Sequence, residues 1–172
     1  MKKILSTLAA AFMVLSLAAC SELPQKENFQ PETSEKEPSQ QEQTFGINET
    51  AVFDELKITA LEIKESKGTE FFQPESGNTF VGIKFVIENV SESEQTVSSL
   101  LMFDSYANDV KCDYSFSAAC VFDEGTIDGS IAPGKKLVGW YALEVPADWT
   151  TIELNVEPSL FSNSLAVFVF EK

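Results

Sequence analysis

The sequence predicts an all-β fold, a two-layer sandwich of about seven or eight strands, on three observations. Between Thr79 and Asn89, the side chains of Val81, Ile83, Phe85 and Ile87 share one face of an extended strand. The other face carries Gly82, Lys84 and Glu88, with Phe80 and Val86 interrupting its polar pattern. Between Leu137 and Val145 a second strand has Leu137, Tyr141, Leu143 and Val145 in phase, so two apolar faces each require a covering layer. Finally, after the N-terminal segment no helical period of useful length occurs, and turn residues punctuate the chain frequently.

The chain opens on Met1-Lys2-Lys3, a short positive stretch, followed by an apolar run from Ile4 to Leu17 broken only by Ser and Thr. This is the pattern of an export signal, and it is short for a membrane span of about 20 residues. Leu17-Ala18-Ala19-Cys20 resembles the bacterial lipobox, in which the Cys sulfur is joined to diacylglycerol and a peptidase cuts just before it. The expectation is a signal peptide over residues 1–19 and lipidation at Cys20. Residues 20–47 follow as a tether rich in Glu, Gln and Ser, with Pro24, Pro31 and Pro38 recurring. With so little apolar surface to offset chain entropy, this stretch is predicted to be disordered.

Residues 48–172 read as the folded domain. Leu56 to Ile63 is a strand with a bulge where its alternation slips, and Ser66 to Thr79 is a loop containing Gly68, Pro74 and Gly77. Thr96 to Tyr106 reads as one extended segment with Leu100, Leu101 and Met102 as its apolar part. Val110 to Tyr114 and Ala118 to Phe122 read as a hairpin around Ser115-Phe116-Ser117. Pro133-Gly134 makes a tight turn, because Pro fixes φ and Gly permits φ > 0, and Pro146 stops the strand that follows. Thr151 to Val156 alternates cleanly, while Leu165 to Phe170 is apolar on both faces and so belongs in the middle of a sheet or under cover on both sides.

Taken together, several of these residues resemble a known family. Pro74, Gly77, the apolar strand ending at Asn89, Pro133-Gly134, Gly139 and Leu143-Glu144-Val145-Pro146 are similar in order and spacing to an immunoglobulin-like domain of unknown function. That domain is found in many Gram-positive lipoproteins and is related in fold to mycobacterial secreted immunoprotective antigens. The resemblance covers about residues 48–157. It implies an immunoglobulin-like β-sandwich at the cell envelope and supplies no catalytic residues.

Charge narrows the partners. The chain carries a net −15 and has no His; without Lys2 and Lys3 it would carry −17. Nucleic-acid binding, which needs clustered Lys or Arg against phosphates, is excluded on this balance, and electrostatic docking on anionic lipid is opposed by it. Without His there is no Ser-His-Asp or Cys-His arrangement and no imidazole base titrating near neutral pH. No cofactor and no metal site is expected. Asp104, Asp109, Asp113, Asp123, Glu124 and Asp128 crowd one region, but Asp123 to Gly129 lacks the residue order of an EF-hand loop, and loop carboxylates of this kind are ordinarily solvated.

With Cys20 committed to lipid, Cys112 and Cys120 are the remaining pair, and in a hairpin centred on Phe116 they would face each other. A disulfide there would contribute about 2.5 kcal/mol on the chain-entropy model. The spacing is not the Cys-x-x-Cys of redox motifs, and a Cys₂His₂ zinc site lacks its His. Phe71 and Phe72 lie in a loop between charged residues, where they either cap the core or anchor a partner. Trp140 and Trp149 are assigned to the core and its edge. The function expected is therefore a membrane-anchored, non-catalytic binding or interaction domain for a protein or envelope ligand. The alternative is an inhibitor or immunity-type lipoprotein whose acidic surface blocks a cationic enzyme.

Overall fold

A computed structural model describes residues 43–158 and 164–172; the signal segment, Cys20 and the tether up to residue 42 lie outside the described residues. The elements run β1 Thr44–Phe45, β2 Thr50–Val52, β3 Leu56–Ser66, β4 Asn78–Asn89, β5 Gln95–Val97, α1 Ser99–Met102 and β6 Phe103–Ala107. They continue with β7 Val110–Cys112, α2 Phe116–Ala119, β8 Gly129–Ile131, β9 Lys136–Pro146, β10 Thr151–Val156 and β11 Ala166–Glu171. Strands β1, β2, β5, β7 and β8 have only two or three residues each, so the longer strands carry most of the pairing. Among the described residues no helix is long and apolar enough to cross a membrane.

One sheet has the order β2-β3-β4-β9 and the other β1-β11-β10-β6-β7, with β5 and β8 forming a small third ladder. Strand β4 is central in the first sheet, and Val81, Ile83, Phe85 and Ile87 are all fully buried, as the alternation predicts. The two sheets meet through aromatic rings. Phe85 on β4 meets Phe168 of β11 edge-on at 5.5 Å and Phe103 of β6 at 5.8 Å, and Tyr141 of β9 stacks on Phe103 at 5.0 Å. Contacts of this kind between opposed sheets define a β-sandwich. The bulge in β3 sits between Ala60 and Glu62, so Ile58 and Ile63 both face the core although five positions apart. Strand β11 lies between β1 and β10, which accounts for its two apolar faces. Strand β1 comes from the stretch read as tether and adds to β11 in parallel.

Asn89 ends β4 through side-chain bonds. Its Nδ2 donates to the carbonyls of Ser93 and Ile131 at 2.7 Å each, and its Oδ1 accepts from Ser91 N at 2.9 Å and Ser91 Oγ at 2.8 Å. The neighbouring Pro133-Gly134 turn closes with Lys135 N donating to Ala132 O at 3.0 Å, Gly134 taking φ 69°.

Two expectations are corrected. The segment from Thr96 to Tyr106 is not one strand: α1 interrupts it, leaving Leu100 and Leu101 exposed. The chain changes partners there, β5 pairing with β8 and β6 with β10, and Asp128 holds the switch by accepting from Ser99 N at 2.7 Å and Ser99 Oγ at 2.9 Å. Nor do residues 110–122 form a hairpin around Phe116. Asn108 and Asp109, at φ 49° and 64°, instead turn β6 straight back into β7, pairing Ala107 with Val110 and Ser105 with Cys112. The chain then runs along the free edge of β9, with Ser115 N donating to Ala142 O at 2.8 Å and Trp140 N to Gly125 O at 2.9 Å.

Candidate binding site

Among the residues singled out from the sequence, the structure exposes the Phe71–Phe72 loop and separates the cysteines. Thr69 organises the loop: its backbone N–H donates to Phe72 O at 2.7 Å, and its Oγ1 accepts from Phe72 N at 3.2 Å and Phe71 N at 3.3 Å. Glu144 of β9 ties the far end down by accepting from Glu75 N at 2.6 Å and Asn78 Nδ2 at 3.1 Å. On this braced loop Phe71 is 83% exposed and Phe72 38% exposed, so neither ring is a cap of the core.

Cys112 and Cys120 are free thiols, not a disulfide. The predicted bridge depended on the hairpin. With β7 folded back on β6 and α2 placed between the two cysteines, Cys112 is half-buried beside Ser105 and Cys120 is exposed. Burial pushes the Cys112 thiol upward, against a smaller opposing effect of Ser105, so it is a poorer nucleophile than an ordinary cysteine. The acidic residues are likewise dispersed: Asp104 pairs with Lys111, Asp128 caps α1, and Glu124 pairs with Lys84. Among the described residues no group of three or more His, Cys, Asp or Glu is arranged to hold a metal ion.

A further feature lies on the outward face of the four-stranded sheet. There Lys84 of β4 is paired across to Trp140 of β9 and to Glu62 of β3, with Lys64 and Gly82 in the next row. Phe122 comes over this face from the segment after α2 and stacks on Trp140 with ring centroids 5.1 Å apart. Gly82 makes room for it, since a Cβ there would lie 2.8 Å from the Phe122 ring. The ammonium groups of Lys64 and Lys84 stand 5.2 and 5.7 Å from the Trp140 ring centre, within cation–π range. Around them opens a cleft of about 320 Å³, lined also by Glu65, Ser66, Asp123 and Glu124. Trp140 is only 4% exposed, and its indole N–H has no hydrogen-bond partner.

Sequence reasoning assigned Trp140 to the core or its edge and missed the cleft. Two signals pointed toward it: a glycine inside the central strand, and apolar Phe80 and Val86 on a face otherwise polar, both signs that something covers that face.

Comparison with known proteins places the fold. The structure is similar to ycdA of Bacillus subtilis, a candidate lipoprotein, at TM-score 0.57 and 15% identity, over 71% of this chain and 38% of that one. The chain thus spans well under half of ycdA. It is similar over almost the whole of two smaller proteins. One is an uncharacterized β-sandwich protein of Clostridium difficile, at TM-score 0.54 and 21% identity over 79% of this chain and 99% of that one. The other is the secreted protein MPT63 of Mycobacterium tuberculosis, at TM-score 0.53 and 10% identity over 78% and 100%. At these identities the likeness is one of fold. No curated protein matches the chain. A family model covers residues 45–167, and the chain belongs to that family, a domain of unknown function designated DUF4352.

Proposed function

We propose that this chain is a lipoprotein anchored through Cys20 on the extracytoplasmic face of a bacterial membrane, and that its sandwich is a non-catalytic binding module for a protein or envelope ligand. The observation that carries the binding half is Phe71. A large apolar ring kept in water on a loop fixed by Thr69 and Glu144 forgoes about 1.5–3 kcal/mol of burial, which a bound partner would recover. The anchoring half rests on Leu17-Ala18-Ala19-Cys20. Each buried CH₂ of an acyl chain contributes about 0.8 kcal/mol, so two or more chains hold firmly where one would not. Membership of a domain family with no described activity, together with structural neighbours that include a candidate lipoprotein and a secreted protein, supports an envelope setting.

The test separates scaffold, anchor and contact surface. Cys20→Ala should abolish fatty-acid labelling and leave an unprocessed precursor; normal acylation of that variant would sink the anchor. The double substitution Phe71→Ser, Phe72→Ser should lower capture of envelope components while the melting temperature stays within a few degrees. Phe85→Ala, by contrast, empties a fully buried site between the rings of Phe103 and Phe168 and should cost about 3–5 kcal/mol, losing fold and capture together. If the double Ser variant captures as well as the parent, the loop is not the contact surface.

A further inference from the structure

We infer that the cleft over Trp140 is a binding site for a small zwitterion of the amino-acid or short-peptide type. Its carboxylate would be received by Lys84 and Lys64, and its ammonium by Glu124. The site lies on residues other than the Phe71–Phe72 loop and goes beyond the reading above.

Four observations converge on it. The cleft holds about 320 Å³, at the small end of ligand sites, which suits a molecule of one or two amino acids. It is unusually rich in donors for so acidic a chain: two ammonium groups gather at one indole ring, and that ring's own buried N–H lacks an acceptor. The N–H of Trp149 is also unpartnered, beneath Lys172 Nζ at 5.1 Å from the ring; what sets Trp140 apart is the cleft that opens on it. The Lys84 side chain is only 19% exposed and is held in place by Glu124, whose side chain is 57% exposed. Lastly, Glu124 has φ 73°, a left-handed backbone otherwise adopted, among the described non-glycine residues, only by Asn48, Asn108 and Asp109, types that tolerate it. Backbone strain of this kind recurs at ligand clamps.

The charges decide the ligand class. A bare anion would meet Glu65, Asp123 and Glu124 at the cleft and the net −15 of the whole chain. A bare cation would meet Lys64 and Lys84. A zwitterion inserted into the Lys84–Glu124 pair replaces one ion pair with two and changes no net charge. Phe122 stacked on Trp140 supplies the apolar wall, and Lys64, paired with Glu62 at 2.9 Å, would exchange that partner for the ligand carboxylate.

The experiment titrates the full chain in detergent with alanyl-alanine, following tryptophan fluorescence and heat, beside N-acetyl-alanyl-alanine, alanyl-alaninamide and inorganic phosphate. The expected result is saturable binding of the free dipeptide at concentrations up to tens of millimolar, weakened at least tenfold when either end is capped. Glu124→Gln, an exposed position that leaves the fold intact, should abolish the preference over the acetylated ligand. Lys84→Gln should abolish the preference over the amide; should that variant unfold, Glu124→Gln alone decides. Phe71→Ser, Phe72→Ser should bind the dipeptide as the parent does, so failure of the loop surface and failure of the cleft are read separately. The inference is overturned by no saturable change, by equal binding of capped and free ligands, by phosphate matching the dipeptide, or by a Glu124→Gln variant with unaltered selectivity.

Discussion

Asn89 offers a quantitative test of how the sandwich is closed at the end of β4. Its side chain is fully buried and makes four hydrogen bonds, to Ser93 O, Ile131 O, Ser91 N and Ser91 Oγ. Asn89→Ala removes all four and leaves the carbonyl of Ile131 in a buried position without its donor. Taking about 1 kcal/mol net for each of the three bonds whose partner can find water, and about 1–3 kcal/mol for the buried Ile131 carbonyl left unpaired, the loss comes to about 4–6 kcal/mol. For a domain this size, with a urea m-value of about 2 kcal/mol/M, the unfolding midpoint should fall by about 2–3 M. Asn89→Asp keeps the acceptor for Ser91 but turns an oxygen toward two carbonyls. Desolvation and those carbonyls raise the pKa of the introduced carboxyl in the folded state above the unfolded value of about 3.9. A raised folded-state pKa means that stability is intact below the unfolded value and is lost as pH rises through the folded one. The Asp variant should therefore lie nearest the parent around pH 4 and furthest below it at pH 7–8. Urea titrations of parent and variants at matched pH provide the measurement. A midpoint shift under about 0.5 M for Asn89→Ala, or an Asp variant as stable as the parent at pH 7, would refute the reasoning.

Alkaline pH should unfold the domain partly through its buried phenols. Burial pushes the hydroxyls of Tyr141 and Tyr114 up to about 12. Because both folded pKa values are raised, stability is unaffected below about pH 10 and falls between pH 10 and 12, by about 3 kcal/mol for Tyr141 from its two-unit shift. Tyr141→Phe, which sacrifices only the 3.2 Å contact with Ser105 Oγ, should flatten that fall in a pH series of denaturant curves, and an unchanged slope would count against it. The cysteines make a simpler forecast. Intact mass of the native domain should match two free thiols at Cys112 and Cys120, with exposed Cys120 alkylated quickly and Cys112 slowly, at a rate that rises only at higher pH; a mass two hydrogens lighter would contradict the structure.

Where local pattern and tertiary demand agree, the sequence was readable. The buried face of β4, the bulge between Ala60 and Glu62, the side-chain bonding of Asn89 and the Pro133-Gly134 turn all follow from short-range rules that the packing had no reason to override. Both failures fall where the chain changes sheets. Thr96 to Tyr106 contains no Gly or Pro to mark a break, yet β5 and β6 belong to different ladders, and Asp128, a residue distant in sequence, holds the turn between them. Around Phe116 the extended runs Val110 to Tyr114 and Ala118 to Phe122 favoured a hairpin, but the Asn108-Asp109 turn had already committed β7 to β6. The remaining chain was left to lie along the edge of β9.

That second failure also hid the cleft. An edge strand such as β9 presents unpaired backbone groups that must be paired, covered or charged. Here residues 114–127 cover it, and in doing so they carry Phe122 onto Trp140 and Glu124 onto Lys84. Period-two reasoning assigns each strand residue to a face but says nothing about what crosses that face. Lys84 therefore read only as part of a polar face, and Trp140 as core or its edge. The strap that protects the edge is also what brings the Phe122 ring and the carboxylates of Asp123 and Glu124 over the two lysines of the sheet, enclosing one small cavity. Substitutions at Gly82 should thus act on the cleft before they act on the fold, because an added Cβ meets the ring of Phe122, a side chain able to move, and not a backbone carbonyl.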